Sequence, residues 1–281
     1  MAAAEPRRWT VAASSVTGRV RPQNEDRCGT FENATGARLF AVADGMGGHR
    51  GGATASQLAL DTLAEAFAKA PAVTAEWLAE AVQDANRQVF DRASHEPGLR
   101  GMGTTLVAVA VDPGGHAWVA HVGDSRAYRL RAAQLVPLTE DHSVVAEMLQ
   151  RGLVTPEEAR VHPRRNEILR SVGVAPSVEV DVRALGLSAG DRLLLCSDGL
   201  SGVVSDAELA RLLADHAPAE TVERAIESAN DRGGPDNITA VVVEVPAPPA
   251  GSRVGWSVAA LVCLLVLAGA LLQFASVLIG S

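Results

Sequence analysis

The last part of the chain constrains the fold most, because it has the composition of a membrane segment and the rest does not. Everything after Glu244 contains a single charged side chain, Arg253, and the 26 residues Val254–Ile279 contain none. As a helix, this segment would be roughly 39 Å long, which exceeds the roughly 30 Å of a bilayer core. The sequence therefore predicts one transmembrane helix at 254–279, with a buried core helix as the less favoured alternative.

The residues that flank the main part of the chain, at its N-terminus and before the apolar segment, predict its cellular location. No apolar run of about 7 to 15 residues follows Arg7 and Arg8, so the N-terminus does not resemble a secretory signal. Arg253 lies directly before the apolar segment, and positive charge favours the cytoplasmic side of a membrane. We therefore expect a single-pass protein of the cell membrane whose body faces the cytoplasm, joined to its anchor by a Pro/Gly-rich spacer at 246–253.

The first 244 residues have the composition of a folded, charged body. They contain 24 basic and 33 acidic side chains, a net charge of about −9, and no basic cluster longer than two residues. This balance argues against a nucleic-acid binder. The three cysteines, Cys28, Cys196 and Cys263, have neither metal-ligand spacing nor the pattern of a disulfide framework. A body of this length can bury a sufficient core without either.

Apolar runs of strand length alternate with helical patterns along the body. The runs predict strands at 39–43, 105–111, 117–122, 127–130, 192–196 and 238–245. Helices are predicted at 53–70 and 74–94, and capping boxes indicate shorter helices that begin after Thr155 and Ser205. Short turns join the second, third and fourth strands, which predicts an antiparallel meander. This mixed order favours an α+β fold over a doubly wound parallel sheet.

Aspartates recur at the ends of the predicted strands. Asp44, Asp124 and Asp198 follow strands, and Asp236 precedes one. Each alone is an ordinary turn residue, but strands of one sheet system bring their ends together, and converging carboxylates need a compensating charge. Oxygen ligands with no His or Cys at zinc-ligand spacing suit Mg²⁺ or Mn²⁺ rather than zinc. Two such ions clamp the attacking and leaving oxygens at phosphorus, so the pattern predicts phosphoester hydrolysis.

A second acidic segment lies before the first long strand. Glu25 and Asp26 are adjacent, and Arg21 precedes Glu25 by four residues. The planar guanidinium group of arginine is a natural partner for phosphate oxygens. A solvated, charged turn remains the alternative for this segment taken alone.

Seven motifs, in order, carry a resemblance to a known family. They are Arg21-x-x-Asn-Glu-Asp26, Asp44-Gly-Met-Gly-Gly48, Gly103-Thr-Thr105, Val122-Gly-Asp-Ser-Arg126, Leu138-Thr-Glu-Asp-His-Ser143, Cys196-Ser-Asp-Gly199 and Gly234-Pro-Asp-Asn-Ile-Thr239. They resemble metal-dependent serine/threonine phosphatases of the PP2C (PPM) family, most of all its bacterial branch. The resemblance implies a four-layer α-β-β-α sandwich of two antiparallel sheets flanked by helices, with a metal-binding cleft at one end. The implied organisation is a tail at 1–11, a PP2C-type phosphatase domain at 12–245, the spacer at 246–253 and the transmembrane helix at 254–279.

The resemblance assigns metal ligands to four of the matching positions. Asp44 would bridge two metal ions, and the backbone carbonyl of Gly45 would bind one of them. Asp198 and Asp236 would complete the pair. The cofactors would be two Mn²⁺ or Mg²⁺ ions, with room for a third.

The other matching positions take supporting roles by the same resemblance. Asp26 would bind metal directly or through water, and Asp124 would join Asp198 at the third, looser ion. Arg21 would hold the substrate phosphate. Glu25 and Asn237 would act through bound water or from behind the ligands.

The implied reaction is hydrolysis of phosphoserine and phosphothreonine in proteins, by in-line attack of a water that bridges the metals. The expected partners are phosphorylated proteins, including a Ser/Thr protein kinase that this enzyme would oppose, and no nucleic acid. Two alternatives remain: a catalytically weak or inactive membrane-tethered phosphoprotein-binding module, and a nucleotide-binding protein. The second would use glycines 45–52 as a phosphate cradle, although they lack the Gly-Lys-Ser/Thr ending of a P-loop.

The group that protonates the leaving alkoxide is left open. Eukaryotic relatives have a histidine directly after the Asp-Gly pair, where this chain has Met46, and His49 lies three residues further on. His142 is interpreted as a structural hydrogen-bonding residue. The segment 143–173 is similar to the flap beside the active site of bacterial members, and we expect it to influence substrate choice.

Overall fold

Antiparallel strands and flanking helices make up the part of the chain that the computed structural model describes, residues 9–47 and 51–246. The 12 strands are β1 (Thr10–Val16), β2 (Arg27–Glu32), β3 (Arg38–Ala43), β4 (Gly45–Met46), β5 (Gly103–Thr104), β6 (Leu106–Val111), β7 (Ala117–Val122), β8 (Arg126–Arg131), β9 (Gln134–Pro137), β10 (Asp181–Leu185), β11 (Arg192–Cys196) and β12 (Ile238–Glu244). The helices are α1 (Gly51–Ala68), α2 (Ala75–His95), α3 (Val144–Gln150), α4 (Pro156–Val161), α5 (Asp198–Ser201), α6 (Asp206–Asp215) and α7 (Pro218–Asp231).

The strands form two five-stranded sheets that pack face to face. The first sheet has the order β1-β12-β11-β8-β9 and the second the order β10-β7-β6-β3-β2, while β4 and β5 pair as a short ribbon. All pairings within the sheets are antiparallel. Helices α1 and α2 cover the outer face of the second sheet, and α5, α6 and α7 cover that of the first. The four-layer α-β-β-α sandwich implied by the sequence is confirmed.

Strand β6 illustrates why the apolar runs build this sandwich. Its side chains at 106, 108 and 110 belong to the core under α1 and α2, and those at 107, 109 and 111 belong to the core between the sheets. Strands buried on both faces are continuous apolar runs rather than alternating ones. Burial of each such Leu or Val side chain stabilises the fold by about 1.5 to 3 kcal/mol, before entropy is counted.

The predicted meander is wrong at its third strand. Strands β6 and β7 are neighbours in the second sheet, but β8 pairs with β11 and β9 in the first. Gly123, with φ of +105°, lets the chain leave β7 and cross to the other sheet. A Cβ at this position would lie 2.7 Å from Thr105 Cβ, so only glycine fits the crossing. The crossing also places Asp124 between the two sheets.

The two predicted capping boxes have different outcomes. Thr155 accepts a hydrogen bond from the Glu158 backbone, and the Glu158 side chain accepts one from the Thr155 backbone, so the first box is complete. Ser205 caps α6 in the same way, but the second half of its box is missing. The Glu208 carboxylate instead accepts from Ser228 at 2.5 Å and pairs with Arg232 at 2.6 Å.

The compact unit runs from Trp9 to Val245, and its first strand, β1, pairs with β12 from Thr10 onwards. The expected spacer and transmembrane helix at 254–279 lie outside the described residues, apart from Pro246. Within 9–47 and 51–246, no helix is long and apolar enough to cross a membrane.

Candidate metal centre

Strand register brings the predicted site residues to one end of the sandwich. In the second sheet, the end of β3, the beginning of β6 and the end of β7 lie side by side. In the first sheet, the end of β11 lies beside the beginnings of β8 and β12. The crossing from β7 to β8 joins these two corners. Five aspartates meet there: Asp26, Asp44, Asp124, Asp198 and Asp236.

Two threonines and a serine fix the backbone around Asp44. Its backbone N–H donates to Thr105 Oγ1 at 3.1 Å, and its carbonyl accepts from the Thr105 N–H and the Thr104 hydroxyl, each at 2.8 Å. Thr105 Oγ1 also bonds Ser125 Oγ at 2.7 Å, next to Asp124. The Gly-Thr-Thr and Gly-Asp-Ser motifs therefore hold two of the acids in a fixed relation.

Close backbone packing explains the glycines beside the acids. A Cβ on Gly45 would lie 2.2 Å from the Gly52 carbonyl oxygen at the start of α1. A Cβ on Gly199 would lie 1.9 Å from the Asn237 carbonyl oxygen, so only glycine lets the β11 end approach the β12 start. Asp198 and Asp236, which flank this contact, are thereby brought together.

Buried hydroxyl groups orient Asp26, whose side chain is 1% exposed. Ser197 and Thr239 each donate to Asp26 Oδ2 at 2.7 Å. Asp26 Oδ1 has no hydrogen-bond partner, and neither has Asp198 Oδ1. The sequence reasoning missed the role of these two hydroxyls, although both residues belong to the quoted motifs. The only signal in the sequence was their position: Ser197 directly precedes Asp198, and Thr239 follows Asp236 by three residues.

Burial and mutual repulsion oppose ionisation of these carboxyls in the metal-free protein. Burial, and then the charges of Asp26 and Asp198, raise the pKa of Asp44 well above its usual 3.8. Burial, followed by the charges of Asp198 and Asp141, raises the pKa of Asp124 to about 8. Burial and the charge of Asp236 raise the pKa of Asp198 to about 6. Such a cluster is stable as a set of carboxylates only when a cation compensates it.

Arg21, Glu25 and Asn237 lie at the rim of the cluster. The Arg21 guanidinium donates to Asp236 Oδ2 at 2.6 Å; partial burial lowers its pKa, but the hydrogen bond and charge of Asp236 outweigh this and raise it. Asn237 accepts from the Glu25 N–H at 2.8 Å and donates to the carbonyls of Thr17 and Gln23, each at 2.9 Å. Asn237 therefore holds the loop that carries Arg21, Glu25 and Asp26 onto β12.

A separate group of His121, His142 and Asp181 lies outside the acidic centre. Its ligand atoms are close enough to hold an ion, but they are engaged with one another and with their neighbours. His142 Nδ1 accepts from the Gly123 N–H at 3.2 Å, and His121 Nε2 contacts the Glu140 carbonyl at 2.7 Å. The Arg170 cation lies 3.3 Å from His142 Nε2 and opposes a metal there. His142 thus bonds the backbone, while His49 lies outside the described residues.

The donor set of the acidic centre fits a hard divalent cation. It offers carboxylate oxygens, a nearby backbone carbonyl at Gly45, and no nitrogen or sulfur ligand within the described residues. The unpartnered buried oxygens of Asp26 and Asp198 are the sharpest sign, because native proteins rarely bury such atoms without a partner. Oxygen-only ligation suits Mg²⁺ and Mn²⁺.

The pH dependence of stability tests the clustering of these acids. In metal-free protein above pH 6.5, Asp124 keeps its proton up to about pH 8 when folded but loses it near pH 4 when unfolded. The folded state then binds more protons, so its stability should fall as pH rises from 6.5 to 8. His121 and His142 have the opposite effect, because their pKa values are lowered in the folded protein, and this effect fades as pH rises above the unfolded value of 6.5.

The measurement is the Tm of EDTA-treated protein across that range. The fall should be smaller in Asp124→Asn, whereas Asp206→Asn, at an exposed carboxylate, should keep the wild-type slope. A constant Tm between pH 6.5 and 8 in metal-free wild-type protein would mean that the carboxylates are not crowded as described.

Comparison with known proteins gives a consistent assignment. A family model described as Protein phosphatase 2C matches residues 19–239. The serine/threonine phosphatase stp of Listeria welshimeri is 44% identical over 233 residues, which cover 81% of this chain and 92% of that protein. PstP of Mycobacterium tuberculosis is 43% identical over 237 residues, which cover 83% of this chain and 44% of PstP.

Solved structures show the same likeness. The serine/threonine phosphatase of S. agalactiae superposes with a TM-score of 0.80 at 36% identity, covering 85% of this chain and 100% of that one. The catalytic domain of PstP in complex with two manganese ions gives a TM-score of 0.74 at 40% identity, covering 85% and 98%. The fold and the acidic centre together define a protein serine/threonine phosphatase. The chain belongs to the protein phosphatase 2C family.

Proposed function

We propose that this protein removes phosphate from phosphoserine and phosphothreonine in other proteins, using two Mn²⁺ or Mg²⁺ ions and a third, more loosely held one. Asp26, Asp44, Asp198, Asp236 and the Gly45 carbonyl would hold the pair, and Asp124 with Asp198 the third. The observation that carries the proposal is the pair of buried oxygens on Asp26 and Asp198 that no N–H or hydroxyl group reaches, on two carboxyl groups that both adjoin Asp44.

Each residue has a distinct task in this reaction. Ser197 and Thr239 hold Asp26 by one oxygen and so leave its other oxygen for the cluster. Thr104 and Thr105 fix the Asp44 backbone at the centre of the acids. The ions, when bound, neutralise the carboxylates and supply the electrophilic assistance that phosphoester hydrolysis needs. Arg21 lies at the rim, where its guanidinium can transfer its hydrogen bond from the Asp236 carboxylate to a phosphate oxygen of the substrate.

Replacement of Arg21 by alanine should lower kcat/KM for a phosphothreonine peptide about a hundredfold, because a charge-assisted contact to phosphate is lost. Arg21→Lys should recover only part of the activity, since an ammonium group lacks the planar pair of donors. Arg19→Ala is the matched control: Arg19 is exposed and pairs with Asp231 at 3.4 Å, away from the acids. Equal activity of Arg21→Ala and Arg19→Ala would show that Arg21 does not bind the substrate phosphate.

The proposed function is tested by phosphate release from three peptides of one sequence that carry phosphothreonine, phosphoserine or phosphotyrosine. The purified full chain with Mn²⁺ should hydrolyse the first two. No release from either, with Mn²⁺ and with Mg²⁺, would contradict the proposal and favour a phosphoprotein-binding module.

We further propose that residues 254–279 anchor the protein in the cell membrane, with the phosphatase domain in the cytoplasm. The support is the composition of that segment, Arg253 directly before it, and the spacer at 246–253 between the segment and the phosphatase domain. An anchored enzyme would meet membrane-bound phosphoproteins at a raised local concentration, and a Ser/Thr kinase is a fitting partner. Release of the full chain from membranes by carbonate would rule out the anchor.

A further inference from the structure

A cleft opens beside the acidic centre, between the segment that carries α3 and α4 and the loop that follows β11. We name it the flap cleft; its volume is about 540 Å³, and Asp124 and Asp198 line one end. Arg21 and Asp236 are hydrogen-bonded to each other and do not line this cleft. A substrate whose phosphate lies at the acidic centre can therefore place neighbouring residues in the flap cleft.

Two guanidinium groups line the flap cleft without an acidic partner. Arg160 lies in the last turn of α4 and Arg165 in the turn that follows, and both are exposed. Within the described part of the chain, neither side chain makes an ion pair or a hydrogen bond. Arg164, beside them, is by contrast paired with Glu167 at 2.7 Å and does not line the cleft.

The acidic residues of the flap cleft leave this positive charge largely uncompensated. Asp141 is held by Arg126 through two hydrogen bonds of 2.8 and 2.7 Å. Asp124 and Asp198 belong to the acidic centre, where the proposed cations would offset their charge. Asp206 remains, at the first turn of α6, and accepts a hydrogen bond of 3.4 Å from Tyr128. The chain as a whole has a net charge of −8, so two free arginines in one cleft mark a local preference for anions.

The rest of the lining suits a polypeptide. Val145, Ala146 and Leu149 come from α3, and Val203 and Val204 from the loop after α5. Apolar side chains next to a few placed polar or charged groups are the usual lining of a ligand pocket. Charge complementarity then defines the occupant as an acidic stretch of phosphorylated substrate.

We infer that Arg160 and Arg165 form an anion subsite that selects phosphopeptides with a second negatively charged side chain, a carboxylate or another phosphate, near the phosphorylated residue. This inference rests on the proposed function and specifies its substrate class. The subsite adds binding energy away from the reacting phosphate, so its effect should fall on KM.

The test is a set of phosphothreonine peptides that differ at one position. Glutamate is placed in turn at each of the three positions on either side, in an otherwise alanine-flanked sequence. Phosphoserine is then placed at the best position, and loss of phosphate from the threonine alone is followed by mass spectrometry. Full-length protein with Mn²⁺ should prefer the best glutamate peptide over the alanine peptide about fivefold in kcat/KM, through KM. A higher kcat/KM for the phosphoserine peptide than for the glutamate peptide would show that the subsite prefers phosphate. An equal kcat/KM would show that a carboxylate is sufficient.

The comparison that decides is between two double variants with the same change in charge. Arg160→Ala/Arg165→Ala should reduce the preference to about one, whereas Arg100→Ala/Arg211→Ala, at exposed arginines outside the cleft, should keep it. The inference is overturned if no position shows a preference, or if both double variants retain or lose it equally.

Failure of the proposed function would be recognised separately. A wild-type protein that hydrolyses neither p-nitrophenyl phosphate nor any peptide would contradict the phosphatase assignment. Fluorescence anisotropy with the same labelled peptides would then still decide on the subsite: about fivefold tighter binding of the acidic peptide, lost in Arg160→Ala/Arg165→Ala, supports it, and equal binding of both peptides overturns it.

Discussion

Removal of divalent cations with EDTA is expected to lower phosphate release from a phosphothreonine peptide by about a thousandfold or more. Without divalent cations, the substrate dianion meets five crowded carboxyls, and the Arg21 guanidinium at their rim is already hydrogen-bonded to Asp236. Addition of Mn²⁺ or Mg²⁺ in excess over EDTA should restore the activity. The rate is followed by phosphate release before and after each addition.

The control for this experiment is a measurement that the protein stays folded in EDTA. Three buried clusters, one under each helical layer and one between the sheets, do not involve the acidic centre, so the far-UV circular dichroism should be unchanged by EDTA. A protein that keeps both its spectrum and its full activity in EDTA would show that the acids do not work through metal. Loss of the spectrum would mean that the cations hold the fold together rather than act in catalysis.

Replacement of Asp198 by asparagine is expected to lower kcat about a thousandfold at saturating Mn²⁺, because a charged ligand at the centre of the cluster is lost. The same change should raise the Tm of metal-free protein at pH 8. Asp198 is ionised there, since its pKa is about 6, and it repels Asp236 and Asp26. Loss of activity together with a gain in metal-free stability distinguishes a metal ligand from a residue that merely supports the fold.

Asp206→Asn is the matched control for this variant. Asp206 lies in the same stretch of chain and lines the same cleft, but it is exposed and is not among the acids that raise the Asp198 pKa. It should retain kcat within about twofold and leave the metal-free Tm unchanged. If Asp198→Asn and Asp206→Asn have the same kcat and the same metal-free Tm, Asp198 does not act as a metal ligand in catalysis.

The convergence of four aspartates could be predicted from the sequence, because the strands themselves carry them. Asp44, Asp124, Asp198 and Asp236 each follow or precede a largely apolar run, and antiparallel pairing of such runs brings their ends to a common edge. Their roles as metal ligands come from the resemblance and stay predictions. For the flap, by contrast, the sequence offered only a resemblance. That Arg160 and Arg165 face one cleft depends on the fold and could not be predicted from the sequence.

Contacts between distant segments account for the features that the sequence did not reveal. Strand β8 has a mixed composition of apolar and basic residues that a hairpin partner of β7 could also have, so nothing local shows that the chain crosses to the other sheet at Gly123. Glu208 has the spacing of a capping box, but Arg232, 24 residues away, binds its carboxylate. The hydroxyls of Ser197 and Thr239 converge on Asp26 from more than 170 residues along the chain.

The most direct test of the account is the position of manganese in crystals of the full chain or of its phosphatase domain grown with Mn²⁺. Anomalous difference maps at the manganese edge should show two strong peaks among Asp26, Asp44, Asp198 and Asp236, with a weaker third beside Asp124. Peaks at His121, His142 and Asp181 instead, or none at the acidic centre at saturating Mn²⁺, would contradict it.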